Sequence, residues 1–347
     1  MAIHWKLHNA MGPGLVGKVP GTDQSPISLE RMLDLTRAST AGDVRFDGVD
    51  LSLYAPHVDM DRGDDELNRI VETLQAHGLV CGSVVAPVWS DLGGGSAMGD
   101  ASERKRFLAA VEKSCRFASR LRERGVRPYG AVRIDSADNP TRWAANPREH
   151  TRRIADTFRE AGRIADGCGE VLAAEGEICW AGMHSWRHMA ELLEAVDRPG
   201  LVGFQADLAH TYLYLLGYNA PEHRLLSDGY DADEFWTAYS TMTRALGPWT
   251  LDVHIAQSDG TVFGSGSHDK TGRHCRADDP RGKLDVVKCA SLWLLDSDGV
   301  PRPAIKHICW DGCMISNETL EAAETWDRIL QLLVKVVDHA SRTAKPD

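Results

Sequence analysis

Four stretches decide the reading of this chain: LAAEGEICW (Leu172–Trp180), VGFQADLAH (Val202–His210), LDVHIAQSDG (Leu251–Gly260) and KHICWDGC (Lys306–Cys313). Each is a short apolar run that ends in a carboxylate or an imidazole: Glu175, Asp207, His254 and Asp311. Short apolar runs bounded by polar turns read as buried strands. Side chains alternate faces along a strand. Glu175 therefore shares a face with Glu177, Asp207 with Gln205, His254 with Asp252, and Asp311 with His307 and Cys309. Four donors at the C-terminal ends of four strands point to one divalent metal site, at the end where barrel enzymes build their active sites.

The pattern extends outward on both sides. Strand-like runs lie at Ile3–His8, Val44–Leu51, Leu79–Pro87, Arg127–Asp135, Glu170–Glu177, Leu201–Asp207, Thr250–Gln257 and Ala304–Trp310. Each precedes a helical stretch: Ile27–Ala38, Asp65–His77, Glu103–Arg124, Arg148–Ala165, Ser185–Val196, His210–Leu216 with Ala232–Leu246, Lys283–Leu295, and Glu318–His339. Eight strand–helix units in series predict an α/β fold, a (β/α)8 TIM barrel over residues 1–347 as a single domain. The rival doubly wound sheet needs a G-x-G-x-x-G turn after its first strand; Gly93-Gly94-Gly95 follows strand three and lacks that spacing. Two Gly-rich loops, Ser90–Asp100 after strand three and Ser258–Gly282 after strand seven, fall on the catalytic face and are expected to be structureless lids.

Composition narrows the function. The net charge of −11 argues against a nucleic-acid partner, which would need a basic stripe. No run of 18 apolar residues spans a membrane, and MAIHWKLHN has no apolar signal core. The eight cysteines form no Cys-x-x-Cys pair, so reduced thiols and a cytoplasmic location are expected.

Three carboxylates and one imidazole suit Mn2+, Mg2+, Co2+ or Zn2+, with Mn2+ favoured, rather than a metal that prefers thiolates. Such an ion polarises a carbonyl, and a neighbouring carboxylate removes the proton beside it. Glu175, His210 and His307 are the candidate catalytic groups. Trp89, Glu177, Gln257, Lys270 and Arg273, with His210, are the candidate substrate contacts. Each residue also has a bland reading. Asp311 can cap the following helix, His210 can cap locally, His307 can be a core histidine, and Glu177 can pair with an arginine. Asp47, Asp50, Arg133, Asp135 and His184 lie on the same face without motif support, as loop residues or local ion pairs. His268 and His274 with Cys275 offer a second metal set or, more simply, a solvated loop.

These segments resemble the sugar phosphate isomerase/epimerase family, the xylose-isomerase-like TIM barrels. The resemblance implies Glu175, Asp207 and His254 as ligands and His210, three residues after the Asp, as a contact to a substrate oxygen. It also implies a Glu on strand eight, where this chain has Asp311. The family includes catalytic subunits of C-glycoside deglycosidases, which eliminate the aglycone from 3-keto-glycosides and work with a small β-rich partner subunit. A sugar isomerase or epimerase and a keto-glycoside lyase are thus both implied, acting on a sugar or keto-glycoside, as a homo-oligomer or with such a partner. An endonuclease IV-like phosphodiesterase would need more His ligands and a basic face. A non-catalytic barrel would have lost the ligands.

Overall fold

The computed structural model describes residues 5–15, 22–263, 271–312 and 315–345. Its strands are β1 (Lys6–Ala10), β2 (Gly48–Ser52), β3 (Val80–Val85), β4 (Val132–Ile134), β5 (Leu172–Glu175), β6 (Val202–Asp207), β7 (Thr250–Ile255), β8 (Gln257–Phe263), β9 (Thr271–Cys275) and β10 (His307–Trp310). All but β8 and β9 pair in parallel and close in the order β1-β10-β7-β6-β5-β4-β3-β2, with helices on the outside. This is the (β/α)8 TIM barrel that the strand–helix alternation predicts.

Local chemistry sets where the helices begin. Ser28, Ser185, Asp231 and Asp285 each accept a backbone N–H in the first turn of the helix that follows. Asp100 and Glu103 form a reciprocal capping box at the start of Ala101–Glu123.

Both loops carry regular, hydrogen-bonded structure among their described residues. Ser258–Gly282 is not a structureless lid: its flanks are β8 and β9, an antiparallel hairpin. The segment Ser90–Asp100 forms a packed wall. Gly94 N–H and Gly95 N–H donate to the carbonyls of Trp89 and Val88, Ala97 N–H donates to Ser136, and Ser96–Met98 are buried. A Cβ at Gly94 would lie 2.0 Å from the Val88 carbonyl oxygen, so no side chain fits there.

The barrel interior departs from the usual layers of Val, Ile and Leu. Along β10, Ile308 and Trp310 face the helices, while His307 and Cys309 face inward; β7 presents Asp252 and His254 inward in the same way. His8, Asp50, Gln205, Asp252, His254 and His307 are all buried there. His8 Nδ1 lies 2.9 Å from Asp50 Oδ1, His8 Nε2 is 2.9 Å from the Tyr129 hydroxyl, and His307 Nε2 is 3.1 Å from Asp50 Oδ2. Space for the His8 ring comes from glycine: a Cβ at Gly48 or Gly82 would meet that ring at 2.6 and 2.7 Å. Burial opposes ionisation of Asp50, but the surrounding His307, His254 and His8 outweigh it and hold the carboxyl well below its ordinary range. Burial likewise lowers His307, and Asp50 and Asp252 more than compensate.

Removing one partner from such a buried set leaves a charge uncompensated, which costs about 3–5 kcal/mol. Asp50→Ala is therefore expected to lower stability by about that amount. A denaturant midpoint equal to that of wild type would show that the histidines hold the interior without the carboxylate.

Candidate functional site

Asp207 is both the last residue of β6 and the N-cap of helix Leu208–Leu215. Its Oδ1 accepts the N–H groups of Ala209 (2.7 Å) and His210 (3.1 Å), which fixes the carboxylate and turns Oδ2 away from the helix. A register shift between Phe204 and Gln205 brings Asp207 level with His254 on β7. Cys309 pairs with that same His254 from β10, so Asp311 follows one step above it. Glu175 ends β5, beside Gln205.

The four expected donors converge. The ligand atoms of Glu175, Asp207, His254 and Asp311 lie within 4.8 Å of one another. Opposite ligands around an ion at about 2.1–2.4 Å are separated by about 4.2–4.8 Å, so the set has the span of one coordination shell. Asp207 Oδ2, His254 Nδ1 and both ring nitrogens of His274 are buried without a hydrogen-bond partner among the described residues. Buried polar atoms without a partner are costly unless a ligand completes them, and the mixed oxygen–nitrogen set of the quartet fits a divalent cation.

Ion pairs link the members of the cluster to one another. His254 Nδ1 lies 3.4 Å from Asp311 Oδ2, and its Nε2 faces Gln205 (3.2 Å) and Asp50 (3.6 Å) inside the barrel. Burial would lower the His254 pKa, but Asp311 and Asp50 raise it well above its ordinary value. Burial would raise Asp311, but His254 and His274 bring it well below the usual carboxylate range. Glu175 Oε2 is ion-paired to Arg133 on β4, and Oε1 is 4.0 Å from His210 Nε2. Glu177 Oε1 is 3.3 Å from that same nitrogen. Burial lowers the His210 pKa to about 3, so its imidazole is neutral at physiological pH.

The remaining expected site residues divide. Glu177 and His210 stand at the mouth with Glu175. Trp89 is beside them but buried; its indole donates to Asp135 Oδ2 (3.0 Å) and lies under the Arg133 guanidinium. His307 is not at the mouth. It opens β10, four residues before Asp311 and roughly 13 Å lower at about 3.3 Å per residue, where it serves the Asp50 cluster. Gln257 spends its amide holding the hairpin base, donating to the Leu284 carbonyl (2.9 Å) and accepting from the N–H groups of Ser258 and Leu284. Arg273 pairs with Asp259 (2.6 Å) and Asp279 (2.8 Å) and braces the hairpin instead of reaching the mouth. Lys270 and His268 lie outside the described residues. Asp311 is not a helix cap, because Ser316 caps the next helix.

Three residues left without motif support prove central. Asp50 interrupts the apolar run GVDLSL, and a charge in such a run signals an inward-facing group. Arg133 alternates with Val132 and Ile134 on β4 in the same way. His274 is not solvated: its ring is 1% exposed and stands between Asp207 and Asp311. Burial lowers its pKa, but Asp207 and Asp311 outweigh that and raise it to about 9.

A closed parallel barrel with a carboxylate–imidazole cluster at its C-terminal mouth defines a class of α/β barrel proteins. The chain belongs to the xylose isomerase-like TIM barrel family, whose model matches residues 35–289. Among solved structures it is similar to the 3-keto-D-glucoside 4-epimerase from E. coli, with 13% identity over 94% of this chain and 99% of that one and a TM-score of 0.52. It is also similar to the IolI protein with a bound zinc atom, with 14% identity, coverage of 97% and 98%, and a TM-score of 0.59. A third is a xylose isomerase-like TIM barrel protein from Mycobacterium smegmatis in complex with magnesium, with 15% identity, coverage of 96% and 98%, and a TM-score of 0.58. A comparison with curated proteins finds no match. At these identities the likeness establishes the fold.

If Arg273 is a brace, Arg273→Ala should speed amide exchange in β8 and β9 while leaving exchange in the barrel strands unaltered. Unchanged protection in the hairpin would show that Gln257 and packing hold it without the ion pairs.

Proposed function

We propose that this chain is a divalent-metal-dependent enzyme of the sugar isomerase and epimerase type, removing a proton next to a carbonyl of a sugar or keto-sugar. The convergence of Glu175, Asp207, His254 and Asp311 within 4.8 Å carries the proposal. These four residues would hold the ion, with Mn2+ favoured and Mg2+, Co2+ and Zn2+ as alternatives. The similar structures that contain zinc and magnesium support a divalent cation, and the similar keto-glucoside epimerase supports the substrate class. Once bound, the ion acidifies the carbon next to a carbonyl by drawing charge onto the carbonyl oxygen.

The chain's own groups then divide the work. Arg133 holds one oxygen of Glu175 and leaves Oε1 on the His210 side. From there Glu175 takes the proton. His210 is neutral and sits 3.3 Å from Glu177, which fixes its ring so that it can hold a substrate hydroxyl or carbonyl oxygen. The strand and wall residues exclude water: Trp89, Trp180 and Ser96–Met98 are all buried around this side of the mouth.

A second reading is elimination of an aglycone from a 3-keto-glycoside, with a homo-oligomeric or small β-rich partner. One observation favours it. Asp311 is engaged by both His254 and His274, which leaves Glu175, held by Arg133 through its other oxygen, as the single base of this reading, and elimination needs only one. The seven described cysteines are free. No described helix is long and apolar enough to cross a membrane.

Loss of a positioned general base typically costs about 10²–10⁴-fold in rate. Glu175→Gln keeps an oxygen donor and should lose turnover by about that factor while retaining metal. His254→Ala should lose both metal and activity and remain folded. Solvent deuterium should appear next to the substrate carbonyl during turnover; product formation without exchange would count against proton abstraction.

Proton competition supplies a separate check. Because the carboxylates around His254 raise it well above its ordinary value, its imidazole carries a proton at neutral pH before the ion binds. Metal binding must displace that proton. The apparent affinity should therefore rise from pH 6 to pH 9, with proton release measurable by calorimetry in buffers of different ionisation enthalpy. A flat profile would contradict imidazole ligation.

A further inference from the structure

We propose that His274, delivered by the β8–β9 hairpin, is a fifth donor of the metal centre, so that binding the ion also ties the hairpin over the barrel mouth. This deepens the metal-centre reading above and rests on it.

The geometry of the ring carries the inference. His274 Nδ1 lies 3.6 Å from Asp311 Oδ1, and Nε2 lies 3.7 Å from Asp207 Oδ1. Both separations are too long for a hydrogen bond, and neither nitrogen has another hydrogen-bond partner among the described residues. The ring is therefore held between two carboxylates by charge alone, and an ion would complete one of its nitrogens. Two ligands about 2.1–2.2 Å from a shared ion, at angles between 90° and 110°, lie about 3.0–3.6 Å apart. His254 Nδ1 and Asp311 Oδ2, both in the quartet, show this spacing at 3.4 Å. His274 thus stands to Asp311 much as His254 does. It also forms a donor group with Asp207 and His210, all within 4.8 Å, which shares Asp207 with the quartet.

The hairpin is built to hold that ring in place. Ser258 and His274 are register partners. The Gln257 amide clips the base of the hairpin to Leu284, and Lys283 N–H donates to the Ser258 carbonyl at 2.8 Å. Arg273, pointing the other way, is locked by Asp259 and Asp279. Gly272 presses on helix Leu208–Leu215, where a Cβ would lie 2.4 Å from Leu213 Cδ1. A ligand needs this kind of support to act at a fixed distance.

The added imidazole also changes which cation fits. Two imidazoles with three carboxylates favour Mn2+, Co2+ or Zn2+ over Mg2+, whose preferred ligands are oxygens. The alternative is that His274 is only a counter-cation to Asp207 and Asp311.

Zn2+ and Mg2+ titrations of the metal-free full chain, followed by calorimetry and elemental analysis, separate these cases. Wild type, His274→Ala, His274→Gln and His254→Ala are compared, with thermal unfolding of each metal-free variant confirming that it folds. Hydrogen exchange of β8 and β9 is followed with and without Zn2+. Loss of an orienting partner typically weakens metal binding about 10–100-fold. The expected result is a loss beyond 100-fold in both His274 variants, a smaller Zn2+-over-Mg2+ preference, and no Zn2+-dependent protection of the hairpin. Zn2+ affinity within 100-fold of wild type, or hairpin protection that survives His274→Ala, overturns the inference while leaving the quartet intact. If wild type itself takes up no Zn2+ and no Mg2+, the metal-centre reading falls, and this inference with it.

Discussion

Buried carboxylates are the constraint on which the rest of this structure depends. Desolvating an anion is tolerated only where counter-charge and hydrogen bonds are supplied with good geometry. Here part of the supply is local: Arg133 for Glu175, backbone N–H groups at a helix start for one oxygen of Asp207, two imidazoles for Asp311, and His8 with His307 for Asp50. Apart from the helix start that serves Asp207, each partner comes from another strand or from the hairpin, so the charges tie β1, β2, β4, β5, β7, β9 and β10 to one another.

The two polar levels of the barrel are continuous. His254 faces the mouth with one ring nitrogen and the interior with the other, which lies beside the Asp50 carboxylate and the Gln205 amide nitrogen. A ligand imidazole whose far nitrogen meets a buried carboxylate has its orientation set and its basicity raised. The interior cluster thus acts on the site from below, and the ordinary apolar filling would lose that support.

The fold was legible because helix and strand periods alternate eight times along the chain, and the quartet was legible because each donor closes an apolar run. What escaped reading has physical causes. Gln257 and Arg273 look like site residues by position, but their hydrogen bonds go to Leu284, Asp259 and Asp279, partners set by the hairpin fold. His307 shares a face with Asp311, yet facing inward says nothing about depth, and it sits at the other end of its strand. The hairpin itself was hidden by a Gly- and Ser-rich composition that reads as loop. Within RHC, only the period-2 alternation distinguishes the bracing Arg273 from the inward His274.

Gly272 gives the hairpin a mechanical reach beyond its own residues. It rests against Leu213 in the helix whose first turn is capped by Asp207. A side chain at 272 would have to push the end of Leu213 aside, while the backbone carbonyl of Ala209, in the turn that Asp207 caps, stays at 3.8 Å. The close seat of the hairpin on this helix is thus set by a residue that has no side chain.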